Sequence, residues 1–221
     1  MIEVEKIETW GFEHAIRGMR NPMNSWDNSD SGYLEFIGFY TEQLKAGKQY
    51  DIGNNDLQLM RKLYKAGPEH RKYLRQIFVS MDITAPLYWW KEFDTYKVGV
   101  VANSCSTMHK IHDKIFEIDD FSHEHLLYTG EGDNPIDYII KFLNYYRERY
   151  IETGRKEYWW QMIQLLPTSY NQKRTVTMNY ENVMSIILQR TGHKLDEWRK
   201  FVEIISTLPY IKEIREEENN E

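Results

Sequence analysis

One short stretch near the middle of the chain restricts the possible folds more than any other. Apolar residues alternate with polar ones between positions 77 and 83, except at Phe78, and this period of two is typical of a strand that buries one face. Pro86 follows, and proline cannot donate to a ladder but is tolerated in the first turn of a helix. The aromatic segment 87–93 comes next. The order predicts a strand that ends near Pro86 and leads directly into a short helix.

Helical patterns account for most of the remaining chain. Apolar residues recur at helical spacing in seven further segments, and caps or helix breakers mark many of their ends. Asn134-Pro135, for example, is a good cap and first-turn pair, and Gly154 terminates the helix that this pair begins. The predicted helices are 33–46, 55–66 capped by Asn55 or Asp56, 108–118, 134–151, 158–166, 179–190 capped by Asn179, and 196–206.

Composition limits the class of protein. A chain of 221 residues can bury a substantial core, and its single cysteine rules out a disulfide framework. No stretch is apolar for long enough to span a membrane and the N-terminus lacks a signal peptide, so we expect a cytoplasmic protein without a membrane partner. The net charge of −6 argues against binding to a nucleic acid polymer. We predict a single domain over 1–221, mostly helical around a small sheet, with an acidic tail at 213–221.

Three polar segments, far apart in the sequence, are candidates for a binding site. The first, 13–32, is too irregular for a periodic element and is either an anion-binding loop or a solvated connection. The second, 103–107, consists of small hydrogen-bonding residues that suit either a site or ordinary turns and caps. The third, 167–179, contains Lys173-Arg174, which is either part of a site or an exposed pair.

Two other features have a functional and a structural interpretation. His109 and His112 lie three residues apart in a predicted helix, but zinc needs further ligands and none nearby has a convincing spacing, so we predict no metal site. The aromatic run 88–90 suits a contact between subunits, and core packing explains it equally well.

In order and composition, the polar segments resemble the flavin-dependent thymidylate synthases. That family has an early arginine-rich segment that ends in Ser-Phe-Asp, and the stretch from Arg20 to Ser25-Trp26-Asp27 is similar to it. The family also has a strand that ends in Ala-Pro, then a helix, then the signature Arg-His-Arg-x-x-Ser-x-Asn-Glu-x-Ser-x-Arg-Tyr. Here Ala85-Pro86 is followed at nearly the same interval by the segment 103–109.

The resemblance continues downstream of the signature. The family has Leu-Pro, an Asn twelve residues past that proline and an Arg eleven residues further on. Leu166-Pro167, Asn179 and Arg190 match at those spacings. The resemblance covers roughly residues 13 to 205, and it implies an α+β fold with a small, mostly antiparallel sheet and surrounding helices.

The signature itself departs from the family pattern. Arg-His-Arg falls on Thr95-Tyr96-Lys97, the family's Glu becomes Ser104, and its later Arg becomes Met108. In the family the lost arginines help to hold the nucleotide phosphate and the flavin, and methionine cannot donate a hydrogen bond. The candidate replacement cations are Lys97, Lys173 and Arg174.

The resemblance implies an enzyme that converts dUMP to dTMP, with methylenetetrahydrofolate as carbon donor, FAD as cofactor and NADPH as reductant of the flavin. The implied substrate-binding residues are Ser106, Arg190, Arg174 and Lys173, and the implied cofactor-binding residues are Ser25, Lys97, Asn103, Asn179 and Arg190. Ser106 is assigned as a contact and not as a nucleophile, because no general base lies beside it in sequence.

The family's members are homotetramers with sites shared between subunits, so the resemblance also implies a homotetramer. The altered signature leaves a second hypothesis open. The chain is then a repurposed or catalytically inactive homologue that binds a nucleotide or flavin, or an oligomeric structural protein.

Overall fold

A computed structural model describes residues 1–40, 43–128 and 134–216, with the backbone alone for 36–40 and 43–47. The strands are β1 (Glu3–Trp10), β2 (Gly32–Tyr40), β3 (Gln43–Asp51), β4 (Phe78–Pro86), β5 (Val100–Ser104) and β6 (Asn171–Asn179). The helices are α1 (Phe12–Arg20), α2 (Asn54–Lys65), α3 (Leu87–Phe93), α4 (Thr107–Lys110), α5 (Pro135–Thr153), α6 (Lys156–Leu165), α7 (Tyr180–Arg190), α8 (Asp196–Ser206) and α9 (Ile211–Arg215).

Four strands form the main sheet in the order β1-β4-β6-β5, and all of their pairings are antiparallel. β2 and β3 pair with each other as a separate hairpin. The central strand β4 is the predicted one, and it leads from Pro86 directly into α3 without a loop. The predicted strand and helix at 77–93 and the small antiparallel sheet are therefore confirmed.

The two faces of the main sheet differ in chemistry. Val79, Met81, Val176 and Met178 point into the core and are at most 1% exposed. The opposite face is polar, and hydroxyl groups link its strands; the Thr175 hydroxyl, for instance, donates to a carboxylate oxygen of the adjacent strand at 2.7 Å. An antiparallel sheet commonly has one face packed and one face solvated, which matches the alternation in β4.

Aromatic side chains from α3 and α8 fill the core under the sheet. Trp89 and Trp90 are fully buried, and the Trp89 ring lies 4.7 Å from Trp198 and 5.3 Å from Phe201, centroid to centroid. The Trp90 indole N–H donates to the Gln172 carbonyl at 2.9 Å. Core packing therefore accounts for these two tryptophans of the run 88–90.

A smaller apolar cluster joins α5 and α6 to the segment after α4, and includes Phe116, Phe121, Leu143 and Met162. The Asn134 side chain accepts from the Ile136 N–H at 3.2 Å and caps α5, which ends at Gly154 in the left-handed conformation. Both features were predicted, as were helices α6, α7 and α8 to within two residues.

The predicted helix at 33–46 is wrong, because these residues belong to the β2–β3 hairpin. Tyr33 pairs with Tyr50 across the two strands, and their rings meet edge to face at 5.1 Å. A few apolar residues at helical spacing did not outweigh the aromatic residues, which favour strands, and Gly38, which disfavours a helix. Residues 41 and 42 of that prediction lie outside the described part of the chain.

The predicted helix at 108–118 is also wrong beyond Lys110. The Asn144 side chain of α5 accepts from the Phe116 N–H and donates to the Phe116 carbonyl, both at 2.9 Å. A distant side chain thereby satisfies backbone groups that a helix would have paired internally.

Three local predictions need correction. Segment 13–32 was expected to be irregular, but α1 covers its first part. Segment 167–179 was predicted as a polar candidate binding segment without a secondary structure, and most of it is the inner strand β6. Helix α2 is capped by neither Asn55 nor Asp56, because the Asp30 carboxylate accepts from both of their N–H groups, at 2.9 and 3.1 Å.

In the described residues, no helix has the length and apolarity needed to cross a membrane. The extent of the single domain, 1–221, stays a prediction. Of the predicted acidic tail, Glu213 to Arg215 lie in α9, and residues 217–221 lie outside the described part.

Gly11 lies close to the backbone of Gln76, just before β4, and this contact gives a first prediction. Gly11 has φ +94°, and a Cβ atom there would overlap the carbonyl oxygen of Gln76. We expect Gly11→Ala to lower the free energy of unfolding by more than about 2 kcal/mol, from left-handed strain and overlap together. Gly67→Ala is the matched control, since Gly67 has φ +106° but open space around its Cβ position. Thermal unfolding of both variants checks this, and equal losses would contradict a role for the contact with Gln76.

Candidate functional site

Two of the predicted polar segments lie side by side at the β5–β6 edge of the sheet. Asn103 pairs with Thr175 and Ser104 pairs with Arg174. Beyond the end of β5 the chain remains hydrogen-bonded to β6, because the Cys105 N–H donates to the Lys173 carbonyl at 2.9 Å. Because β5 is an edge strand, its outer side is open to a ligand.

Arg174 is held against the core at this edge. Its guanidinium lies over the Trp90 ring at 4.2 Å, donates through Nη1 to Asp94 at 2.7 Å and through Nε to Gln172 at 2.9 Å. The side chain is 15% exposed. A stacked guanidinium with fixed hydrogen bonds is pre-oriented for an anion or a planar group.

Arg190 has a similar environment at the end of α7. Its guanidinium lies 4.4 Å over the Trp198 ring, donates through Nη1 to Glu92 at 2.7 Å and through Nε to the Tyr96 hydroxyl at 3.0 Å. Glu92 also accepts from the Trp198 indole N–H at 2.9 Å. Both arginines are therefore fixed to the end of α3, since Glu92 lies in that helix and Asp94 directly follows it.

Asn179 lies where β6 passes into α7. Its side-chain oxygen accepts from the Asn182 N–H at 3.0 Å and caps α7, as predicted. The loop before β5 passes close to it, because a Cβ atom at Gly99 would lie 2.5 Å from the Asn179 amide nitrogen. Lys97 in that loop is exposed, and no described residue forms an ion pair with its ammonium group.

Ser106 caps a helix, which was one of the two interpretations of segment 103–107. Its hydroxyl oxygen accepts from the His109 N–H at 3.1 Å. The residue is exposed, and its hydroxyl hydrogen has no acceptor among the described residues. Ser106 can therefore donate to a ligand while it caps α4.

Lys173 and Arg174 do not act together, because consecutive residues of a strand point to opposite faces. The Lys173 ammonium lies on the open face and pairs with Glu5 at 2.6 Å. Arg174 points to the packed face. The prediction that both cations enter one site has no support within a single chain.

Ser25 lies apart from the β5–β6 edge, beside a buried ion pair. Its carbonyl accepts from Arg20 at 3.2 Å, and Arg20 donates to Asp56 at 2.6 Å. Burial would raise the pKa of the Asp56 carboxyl, but hydrogen bonds from Ser29, Ser31 and Arg20 outweigh it and lower that pKa. In the described ranges, no hydrogen bond or ion pair joins segment 20–31 to residues 95–107. Arg20 therefore stabilises the fold here and does not form the anion-binding loop considered above.

No family model matches the sequence, and no curated protein matches it. Solved structures do. Thymidylate synthase X (ThyX) from Helicobacter pylori with FAD and dUMP is 14% identical and superimposes with a TM-score of 0.67, over 97% of this chain and 98% of that one. A second structure, flavin-dependent thymidylate synthase ThyX from Helicobacter pylori complexed with FAD and dUMP, is 15% identical with a TM-score of 0.66, over 96% and 98%. The chain has the ThyX fold. The fold that the resemblance implied is confirmed, and at this identity the comparison speaks for the fold alone.

Within the ThyX fold, the polar groups that fix the two arginines were missed by sequence reasoning. Glu92 and Asp94 had no predicted role beyond their place among the aromatic residues of the short helix, and Trp198 was not singled out. The available signal was that both acidic residues come just before the segment 95–97, on which the family's arginine-rich signature falls. Only the tertiary contacts show that they pair with Arg174 and Arg190.

A sizeable cleft in the described part of the ThyX fold lies elsewhere. It has a volume of about 1090 Å³ and is lined by the end of β1, the start of α1, the base of the hairpin and Tyr210. None of the eight predicted site residues lines it. The candidate site at the β5–β6 edge therefore lies apart from this cleft.

The two histidines considered as metal ligands do not form a cluster. His112 packs edge to face against Tyr150, with ring centroids 5.0 Å apart. Among the described residues, no group of three or more His, Cys, Asp or Glu side chains is placed to hold a metal ion.

Proposed function

We propose that the chain is a divergent flavin-dependent thymidylate synthase, which reductively methylates dUMP to dTMP with methylenetetrahydrofolate and NADPH. One observation carries the proposal. In a fold shared with ThyX over 97% of the chain, two half-buried arginines stack on tryptophans beside the edge strand where the family's signature falls.

The donors at this edge suit a cofactor that combines phosphates with a planar ring. Lys97 offers an unpaired cation, Asn179 keeps its amide nitrogen as a donor while its oxygen caps α7, and Asn103 is exposed on β5. The close approach of the chain at Gly99 brings the Lys97 loop against Asn179. These residues would hold FAD, and when bound FAD supplies the hydride that no amino-acid side chain can provide.

The chain's own residues would bind and orient the nucleotide. Arg174 and Arg190 each have a guanidinium fixed by stacking, which suits a phosphate group. Ser106 has a hydroxyl hydrogen available for a uracil carbonyl, and donors at the carbonyls raise the nucleophilicity of uracil C5. No step in this proposal requires Ser106 to act as a nucleophile.

We include a homotetramer and a cytoplasmic location in the proposal. Ser25 lies apart from the β5–β6 edge of its own chain, so that it would reach a cofactor at that edge from another subunit. Size-exclusion chromatography with light scattering gives the oligomeric state. A monomer that binds FAD with full occupancy would contradict a shared site.

Two observations favour one form of the second hypothesis, a nucleotide-binding homologue without flavin chemistry. Both arginines are already paired with carboxylates, and Thr95 stands where the family has the first arginine of its signature. Such a protein would still hold a pyrimidine nucleotide at the β5–β6 edge. It would bind no FAD and release no product.

Spectroscopy and turnover separate the two hypotheses. We expect the purified protein to take up FAD and to absorb at the usual flavin bands. It should also release tritium from 5-labelled dUMP, and only when methylenetetrahydrofolate and NADPH are both present. A protein that dUMP stabilises against heat but that takes up no FAD would overturn the synthase proposal and favour the second hypothesis.

Asn179 gives a prediction with a matched control. Asn179→Ala and Asn134→Ala each remove a helix cap, so both should lower the free energy of unfolding by about 1 kcal/mol. Only Asn179 belongs to the proposed site. We therefore expect FAD affinity, measured by fluorescence titration, to fall about tenfold in Asn179→Ala and to stay unchanged in Asn134→Ala. Equal FAD affinities in the two variants would remove Asn179 from the site.

A further inference from the structure

The two arginines of the β5–β6 edge keep one amino group free. Each guanidinium donates through Nε to a neutral side chain and through Nη1 to a carboxylate. For Arg174 these partners are Gln172 and Asp94. For Arg190 they are Tyr96 and Glu92. Within the residues that the structure describes, neither Nη2 has a hydrogen-bond partner. The side chains of Arg174 and Arg190 are 15% and 18% exposed, and neither Nη2 is among the fully buried polar atoms that lack a partner, so both are in contact with solvent.

The same contacts neutralise the charge that an anionic ligand would meet. Glu92 and Asp94 lie two residues apart and each accepts from one arginine at 2.7 Å. A phosphate that reaches Nη2 gains hydrogen bonds, but it also lies near the carboxylate on the Nη1 of the same guanidinium. At a partly desolvated surface the phosphate and this carboxylate repel each other appreciably, and the repulsion increases with the charge of the ligand.

The carboxylates are not the only groups that orient the guanidinium groups. Stacking already fixes the plane of each one, at 4.2 Å over Trp90 and 4.4 Å over Trp198. The Nε hydrogen bonds fix the rotation within that plane. Besides their hydrogen bonds, Glu92 and Asp94 add a negative charge beside each guanidinium group.

We propose that Glu92 and Asp94 set the charge of the ligand that this site accepts. They admit a pyrimidine nucleoside monophosphate and reject di- and triphosphates, whose additional charge meets two carboxylates. The pyrimidine part of this statement rests on the proposed function. The selection by charge depends only on the arginine–carboxylate pairs, and inorganic anions can test it separately.

The test uses variants that remove charge and keep shape. Glu92→Gln and Asp94→Asn each retain an oxygen that accepts from the arginine. Glu152→Gln is the control, because it makes the same change of net charge at an exposed pair with Arg149 on α5. Isothermal titration calorimetry at low and high salt would measure binding of inorganic phosphate, pyrophosphate, deoxyuridine, dUMP and dUTP to the purified full chain.

In Glu92→Gln and Asp94→Asn we expect the affinity for phosphate and dUMP to rise about tenfold at low salt, with a larger rise for pyrophosphate and dUTP. The gain should shrink at high salt, because ions screen partly exposed charges. Deoxyuridine affinity should not change in any variant. The control Glu152→Gln should bind every ligand as the wild type does.

A fall in phosphate affinity in Glu92→Gln and Asp94→Asn would show that the carboxylates orient the arginines, and unchanged affinity would show that they do nothing. Either result overturns the proposal, as does a protein that binds no anion in any form. If phosphate affinity rises but no variant binds a pyrimidine, the charge selection stands and the proposed function fails. Because Asp94 is about half exposed, Asp94→Asn gives a folded variant even if Glu92→Gln is unstable.

Discussion

Asp56→Asn should destabilise the protein by about 3–5 kcal/mol, the largest effect on stability that we expect from any single polar substitution. Asp56 is fully buried and Arg20 is 5% exposed, with 2.6 Å between the donor and acceptor atoms. The amide cannot neutralise Arg20, so that a buried cation is left unpaired. For a domain of this size the loss corresponds to a fall in the melting temperature of about 10 °C.

The same carboxylate gives a pH dependence whose sign follows from its pKa. The pKa of Asp56 is lower in the folded protein than in the unfolded chain, because the hydrogen bonds from Ser29, Ser31 and Arg20 outweigh burial. Its contribution to stability is therefore complete above the unfolded value of about 4 and is lost as the pH falls through the lower folded value. Stability in Asp56→Asn should depend less on pH in this acidic range.

Glu152→Gln is the control for Asp56→Asn, since its pair with Arg149 is exposed and should contribute little to stability. Chemical denaturation at several pH values, monitored by tryptophan fluorescence, measures both variants. A loss in Asp56→Asn no greater than that in Glu152→Gln would contradict the structural role given to the buried pair.

The parts of the fold that local chemistry determines were predictable from the sequence. Alternation in β4, the proline that begins α3, and the caps at Asn134 and Asn179 each act over a few residues. Their signals are therefore present in a short window. The hairpin 32–51 and the strand β6 depend on pairing between strands. The local sequence pattern predicted a helix for the first and no secondary structure for the second.

The candidate site shows the same division. The helix predicted from Asn179 to Arg190 is α7, with Asn179 as its cap. The β5–β6 pairing brings Asn103 beside Thr175. The opposite orientations of Lys173 and Arg174 follow from strand geometry, which became evident only once β6 was known to be a strand. The pairing of Arg190 with Glu92 joins residues 98 positions apart, and no local pattern reports such a contact.

Arg190→Ala should cause the largest loss of function, under the proposal that the chain is a flavin-dependent synthase. The substitution removes the charge, the free Nη2 and the stacking on Trp198. Charge-assisted hydrogen bonds from a pre-oriented guanidinium contribute about 1.5–3 kcal/mol each, so that kcat/KM for tritium release should fall roughly 100-fold. Arg190→Lys keeps the charge but cannot reproduce the planar, stacked geometry, and should recover only part of the loss.

The control for Arg190→Ala must separate function from stability, because among the described residues the Glu92 carboxylate then keeps only Trp198 and His193 as polar partners. Melting temperatures of both Arg190 variants, with and without dUMP, make that separation. Arg149→Ala removes an arginine of α5 that pairs with Glu152 and lies outside the proposed site, and it should retain full activity. Tritium release at the wild-type rate from folded Arg190→Ala would exclude Arg190 from the site. Because the phosphate is proposed to bind through Arg190, it would also place the nucleotide somewhere other than the β5–β6 edge.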